Sequence, residues 1–156
     1  MKRTASLVLK VAVMVGSLAA ASVTAAEPTI KQLMGENFAG LQTILVALIN
    51  SDYTNIPAQA DVIRDHATKL TKVVPKSAEG DRDRFLAMAY ALDNNAESLK
   101  TISEILMQHD RDRLAKTGNL LGADELRESL AGHYAGMVVT CVSCHNHYRP
   151  GKIVTQ

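Results

Sequence analysis

Aromatic residues are scarce in this chain: two Phe, four Tyr and no Trp among 156 residues. Rings therefore supply little of any core. Leu, Ile, Val, Ala and Met must fill it, and aliphatic cores rich in Ala suit close helix packing. A large planar cofactor would add the missing apolar volume. Charge of one sign is also lacking, with 17 Lys and Arg against 16 Asp and Glu, formally +1. Removing the N-terminal segment described next, which holds Lys2, Arg3 and Lys10 and no acid, takes the charge from +1 to −2. Such near-neutrality gives no electrostatic case for nucleic acid. No segment has the alternating period of a strand. Cysteine is confined to two positions, Cys141 and Cys144.

Long apolar runs occur only at the N-terminus. Lys2 and Arg3 precede Val11-Ala12-Val13-Met14-Val15 and Leu18 to Val23, and the small residues Thr24-Ala25-Ala26 close the run. That order is expected of a secretory signal peptide cleaved after Ala26. As a membrane anchor the run is short of the ~20 residues a span needs, and Lys10 interrupts it. The reading divides the chain into a signal peptide, 1–26, and one domain, 27–156. That domain has no second run able to span a bilayer and is expected in a bacterial periplasm.

Apolar spacing in the domain predicts four helices. The first covers 29–50, with the stripe Ile30, Leu33, Met34, Phe38, Leu41, Leu45, Leu48 and Ile49, after Pro28 and a Thr29 N-cap. Ile44 and Val46 fall outside this stripe, and either widen the core face or belong to a dimer contact. The second covers 57–74 through Ile63, Ala67, Leu70, Val73 and Val74, with Pro57 in its first turn and Pro75 ending it. The third covers 81–108, on Phe85, Met88, Ala89, Leu92, Ala96, Leu99, Ile102 and Leu106. His109 to Gly122 is polar and reads as a loop with partial helix. The fourth covers 124–147, on Leu126, Leu130, His133, Met137, Cys141 and Cys144, stopped by Pro150-Gly151. Four helices with mostly short links imply an all-α, antiparallel four-helix bundle.

The chemistry concentrates in Cys141-Val142-Ser143-Cys144-His145. C-x-x-C-H is the attachment pattern of c-type haem. On a helix the three side chains project from one face, so two thiols reach the two vinyl groups while His145 reaches the iron as proximal ligand. Other readings of the same residues are weaker. A Cys141–Cys144 disulfide would close a very small loop and constrain little. A thioredoxin-like dithiol needs a strand–helix context. Zinc needs about four ligands, for which Cys141, Cys144, His145 and His147 are the candidates.

The second iron face needs a ligand from another helix, because His147 points away from His145 and Met137 lies on the proximal side. The candidates are Met34, His66, Met88, Met107 and His109. Met88 and Met107 read as core filler. His66 reads as a partly exposed edge residue and His109 as a solvated one. His133 reads as a half-buried, hydrogen-bonded histidine. Spacing alone leaves Met34 open between ligand and core residue.

The string Cys-Val-Ser-Cys-His-Asn-His-Tyr-Arg, 141–149, resembles the C-x-x-C-H-x-x-aromatic-Arg ending of the cytochrome c′ family. Size, four helices and a haem site near the C-terminus extend the resemblance over the whole domain. Lys31-Gln32-Leu33-Met34 is similar to the low-spin branch of that family. The resemblance implies Cys141 and Cys144 as thioether attachments, His145 as proximal and Met34 as distal ligand. It also implies Arg149 near the haem edge and its propionates, and Tyr148 beside the proximal side.

The expected function is single-electron transfer between periplasmic redox proteins, with one haem c and no enzymatic step. The alternative is a five-coordinate site binding nitric oxide or carbon monoxide in an apolar pocket lined by Met34 and Phe38. A peroxidase would need a distal acid–base group, for which His66 is the candidate. The resemblance also carries the expectation of a homodimer through the first two helices.

Overall fold

The computed structural model describes residues 29–114 and 122–148. The segment expected to be a signal peptide, with its cleavage point, the polar residues 115–121 and Arg149 lie outside them. Four helices follow in order, α1 Ile30–Asn50, α2 Ile56–Lys72, α3 Arg82–Leu114 and α4 Ala123–Tyr148. A short 3₁₀ segment, Lys76–Asp81, joins α2 to α3. No strand occurs among the described residues. The domain is an all-α four-helix bundle.

The helix ends have local causes. Thr29 caps α1: its hydroxyl accepts from the Gln32 N–H at 3.3 Å, and the Gln32 side-chain oxygen accepts from the Thr29 N–H at 2.8 Å. This capping box satisfies two donors that a helix start otherwise leaves without partners. Ser51 takes a left-handed conformation, φ 53°, and the next N–H, of Asp52, donates back to the Ala47 carbonyl at 2.9 Å. Pro57 sits in the first turn of α2. That helix ends at Lys72, two residues earlier than the apolar spacing predicts, so Val73 and Val74 lie outside it. Pro75 is the reason, since it drives the residue before it out of the helical region.

Side-chain pairs set the antiparallel order. Asn37 meets His66 between α1 and α2. Between α2 and α3, Lys100 reaches Asp61 and Arg64 reaches Asp93 and Glu97. Between α3 and α4, Asn95 meets His133 and Asp81 meets Tyr148. From α2 to α3, and from Asp81 and Asn95 to α4, the partner number falls as the other rises.

The interior forms two apolar clusters. The larger holds Ile44, Ile56, Ile63, Leu99, Leu106, Leu130 and Met137, all fully buried. The smaller lies towards the start of α1 and the end of α4, on Leu33, Leu70, Phe85, Ala89 and Tyr148.

Two expectations need correction. First, α3 continues through Leu114, so His109 is helical rather than the start of a loop. Second, the inward face of α1 is rotated from the expected stripe, keeping Leu33 and Leu41 and adding Asn37, Gly40, Ile44 and Ala47. Phe38, Leu45 and Ile49 are exposed. Apolar residues surround α1, so their spacing admits two faces. Gly40 marks the inward one: a Cβ there would stand 3.6 Å from Ile63, an ordinary contact, and α2 comes close at this position.

The two isoleucines separate these faces. Ile44→Ala should destabilise the domain by about 2–5 kcal/mol, as for a fully buried large-to-small change. Ile49→Ala should stay within about 0.5 kcal/mol. Urea unfolding of both variants reads the difference, and equal losses would contradict the observed rotation of α1.

Candidate functional site

The two clusters do not merge where α4 carries its cysteines. Cys141 packs on the margin of the larger cluster and Cys144 on that of the smaller. Between them lies a cleft lined by Cys141, Cys144, His145 and Thr140 from α4. Its other walls are Met34 from α1, Leu70 from α2, and Phe85, Met88, Ala89 and Leu92 from α3. The enclosed space is about 20 Å³, room for roughly one water, so the walls would have to part to admit a large ligand. His145 is exposed and lies at the mouth. The Thr140 hydroxyl is already committed, donating to the Gly136 carbonyl at 2.8 Å. The thiols and the imidazole are thus the polar groups left to act on a ligand.

Helical geometry brings the three α4 side chains together. Steps of three and four residues keep Cys141, Cys144 and His145 on one face over a single turn. Both cysteines are free thiols. Burial, and then the neighbouring Cys144, push the Cys141 thiol above its ordinary range; burial alone raises Cys144. A redox-active dithiol needs the opposite shift. Among the described residues no three His, Cys, Asp or Glu side chains gather around a possible metal position. His147, proposed above as a fourth zinc ligand, is exposed and does not line the cleft. Its Nδ1–H donates to the Ser143 carbonyl at 2.8 Å.

The candidates for the second iron face are sorted by position. Met34 and Met88 line the cleft. Met107 packs instead against the larger cluster. His66 is not the partly exposed residue its spacing indicated: it is 4% exposed, with Nδ1 2.7 Å from Asn37 Oδ1 and Nε2 3.1 Å from Glu36 Oε2. His109 is half-buried in α3, and its Nε2 is enclosed without a hydrogen-bond partner rather than solvated. His133 matches expectation, half-buried with Nδ1 3.0 Å from Asn95 Oδ1. Phe38 is 63% exposed and does not line the cleft, so the gas pocket drawn from Met34 and Phe38 is corrected to Met34 with Leu70, Phe85 and Met88. Leu70, Phe85 and Leu92 were legible only as core residues, because the period of a helix says which face is apolar and not what that face meets.

Tyr148 ties the end of α4 to the start of α3. Its ring stands edge-on to Phe85, centroids 5.6 Å apart at 77°. Its hydroxyl donates to Asp81 Oδ2 at 3.1 Å. Burial, with the Asp81 bond, raises its ionisation above the usual phenol range.

Two thiols and an imidazole on one helix face, in an otherwise apolar cleft facing a thioether, form a donor set suited to haem c. Comparison of the chain with protein-family models, with curated proteins and with solved structures gives no match in any of the three. The geometry of the cleft is therefore the ground for a functional reading.

The raised thiols can be checked in the haem-free chain. Alkylation by iodoacetamide should run slower in the folded domain than in urea around the ordinary thiol pKa, because the folded thiols release their protons at higher pH. Equal rates in both states would contradict the burial described.

Proposed function

We propose that the chain is a periplasmic c-type cytochrome that carries single electrons, similar to the low-spin branch of the cytochrome c′ family. The observation that carries this reading is the meeting of the Cys141–Cys144–His145 face of α4 with the Met34 thioether of α1 in one apolar cleft. Haem bound there supplies a one-electron iron couple. Cys141 and Cys144 hold it covalently, so it is not lost when the bundle opens. His145 and Met34 are the residues that would hold its iron, a pairing that would raise the reduction potential. Leu70, Phe85, Ala89 and Leu92 would limit solvent access to the group, which bears on its reduction potential. Arg149, outside the described residues, is assigned to the propionates by resemblance.

The partners are other periplasmic redox proteins, met in short-lived encounters. No helix among the described residues is long and apolar enough to cross a membrane. A homodimer belongs to the same reading. Phe38, Val46 and Ile49, 57–74% exposed, run along the outer face of α1, with Val62 exposed on α2. An apolar stripe of this kind is the surface a second copy would cover.

The test is the absorption spectrum of the purified protein, oxidised and reduced, with and without carbon monoxide. Sharp low-spin bands unmoved by carbon monoxide are expected, turning high-spin and carbon-monoxide-sensitive in Met34→Ala. Broad bands already sensitive to carbon monoxide in the parent protein would favour a gas-binding function, and absence of haem would end both readings. For the dimer, sedimentation at micromolar concentration should give two copies, reverting to one in Phe38→Asp/Ile49→Asp; a monomer in the parent protein would remove it.

A further inference from the structure

His66 is buried, and neither the core nor the cleft has a use for it. It is 4% exposed, and its partner Asn37 is 2% exposed. Among the described residues, the side-chain bonds between α1 and α2 converge on this one imidazole: Asn37 Oδ1 at 2.7 Å and Glu36 Oε2 at 3.1 Å, both from α1. It does not line the cleft. An acid–base group acting on a ligand at the iron would have to do so.

The register of α1 on α2 shows what the imidazole is placed to do. Gly40 lies against Ile63, Asn37 against His66, and Leu33 and Leu70 share the smaller cluster. Each step advances by about one turn on both helices. Apolar steps constrain rotation weakly, because hydrophobic burial has no direction. A hydrogen bond between buried groups does constrain it, since its loss leaves polar atoms without partners. Met34 precedes Asn37 by one turn, and Leu70, its neighbour in the cleft wall, follows His66 by one turn.

We propose that His66 is a positioning residue for Met34. Through Asn37 and Glu36 it sets the rotation of α1 about its own axis, and so keeps the Met34 thioether turned into the cleft. The inference rests on the reading of Met34 as the distal ligand. It differs from that reading in assigning the strength of ligation to a residue that touches neither haem nor Met34.

The holoprotein tests it, in four forms: His66→Ala, His66→Gln, Met34→Ala and the double variant His66→Ala/Met34→Ala. His66→Ala should retain covalent haem and helical circular dichroism. It should also gain a high-spin fraction and bind carbon monoxide in the reduced state roughly tenfold more tightly, the scale on which partners of metal ligands act. His66→Gln, whose amide can still donate to α1, should recover most of the low-spin spectrum. In the Met34→Ala background, adding His66→Ala should leave carbon monoxide affinity unchanged, because nothing remains to be positioned. A purely structural role would lower the melting temperature of His66→Ala without moving the spectrum; that result, or independent effects in the double variant, would overturn the proposal. If Met34→Ala itself stays low-spin, the ligand assignment fails and the positioning role with it. Should His66→Ala not fold, Asn37→Leu removes the same bond while keeping bulk on α1, and its spectrum decides in the same way.

Discussion

The helical step of α4 governs how the rest of the bundle packs. Leu130 and Met137 on that helix are fully buried and complete the larger cluster. One turn beyond Met137 the same face presents Cys141 and then Cys144, side chains too small to bridge to α1 and α3. The apolar interior therefore divides, and the walls that remain are contributed by three other helices. Native interiors pack at near-crystalline density, and the seam between the two clusters leaves only a narrow cleft. The composition points the same way, since a chain without Trp and with two Phe has few large side chains to close it.

The polar interactions between helices are divided by depth. On the outside, Arg64 binds Asp93 and Glu97, and Lys100 binds Asp61, across α2 and α3. Their partners are one-third to one-half exposed, and pairs of this kind add little stability each. Inside, His66 with Asn37 and His133 with Asn95 join neighbouring helices through single hydrogen bonds. The outer network gives α2 and α3 a preferred register at small energetic weight. The inner bonds carry more specificity, because a buried polar atom that loses its partner is costly.

The fold was legible where one face alone is apolar. The stripes of α3 and the buried positions Ile63, Ala67 and Leu70 of α2 follow from their spacing, and the start of α1 follows from Thr29. The inward face of α1 was legible only in part: Leu33 and Leu41 follow from spacing, but apolar residues surround the helix, and its meeting with α2, Gly40 against Ile63 and Asn37 against His66, is a tertiary fact. The extension of α3 to Leu114 was hidden by polar residues, which a helix tolerates when one side faces water. At the site, the three α4 residues were legible from the motif alone. Met34 was one of five candidates, and its presence in the cleft beside Met88 depends on how the helices assemble. His66 was misjudged because a lone histidine at the edge of an apolar stripe gives no sign of an Asn partner 29 positions earlier in the chain.

The Thr29–Gln32 capping box has a consequence for dynamics. Helices open first from their ends, and Met34 lies in the second turn of α1, within reach of such fraying. On the proposed ligation, Met34 would leave the iron when a few backbone bonds break, while the bundle stays assembled. The cap thus controls more than helix stability. By holding the first turn closed, two side chains at the edge of the domain would, on the proposed function, set how often a small molecule finds the metal uncovered.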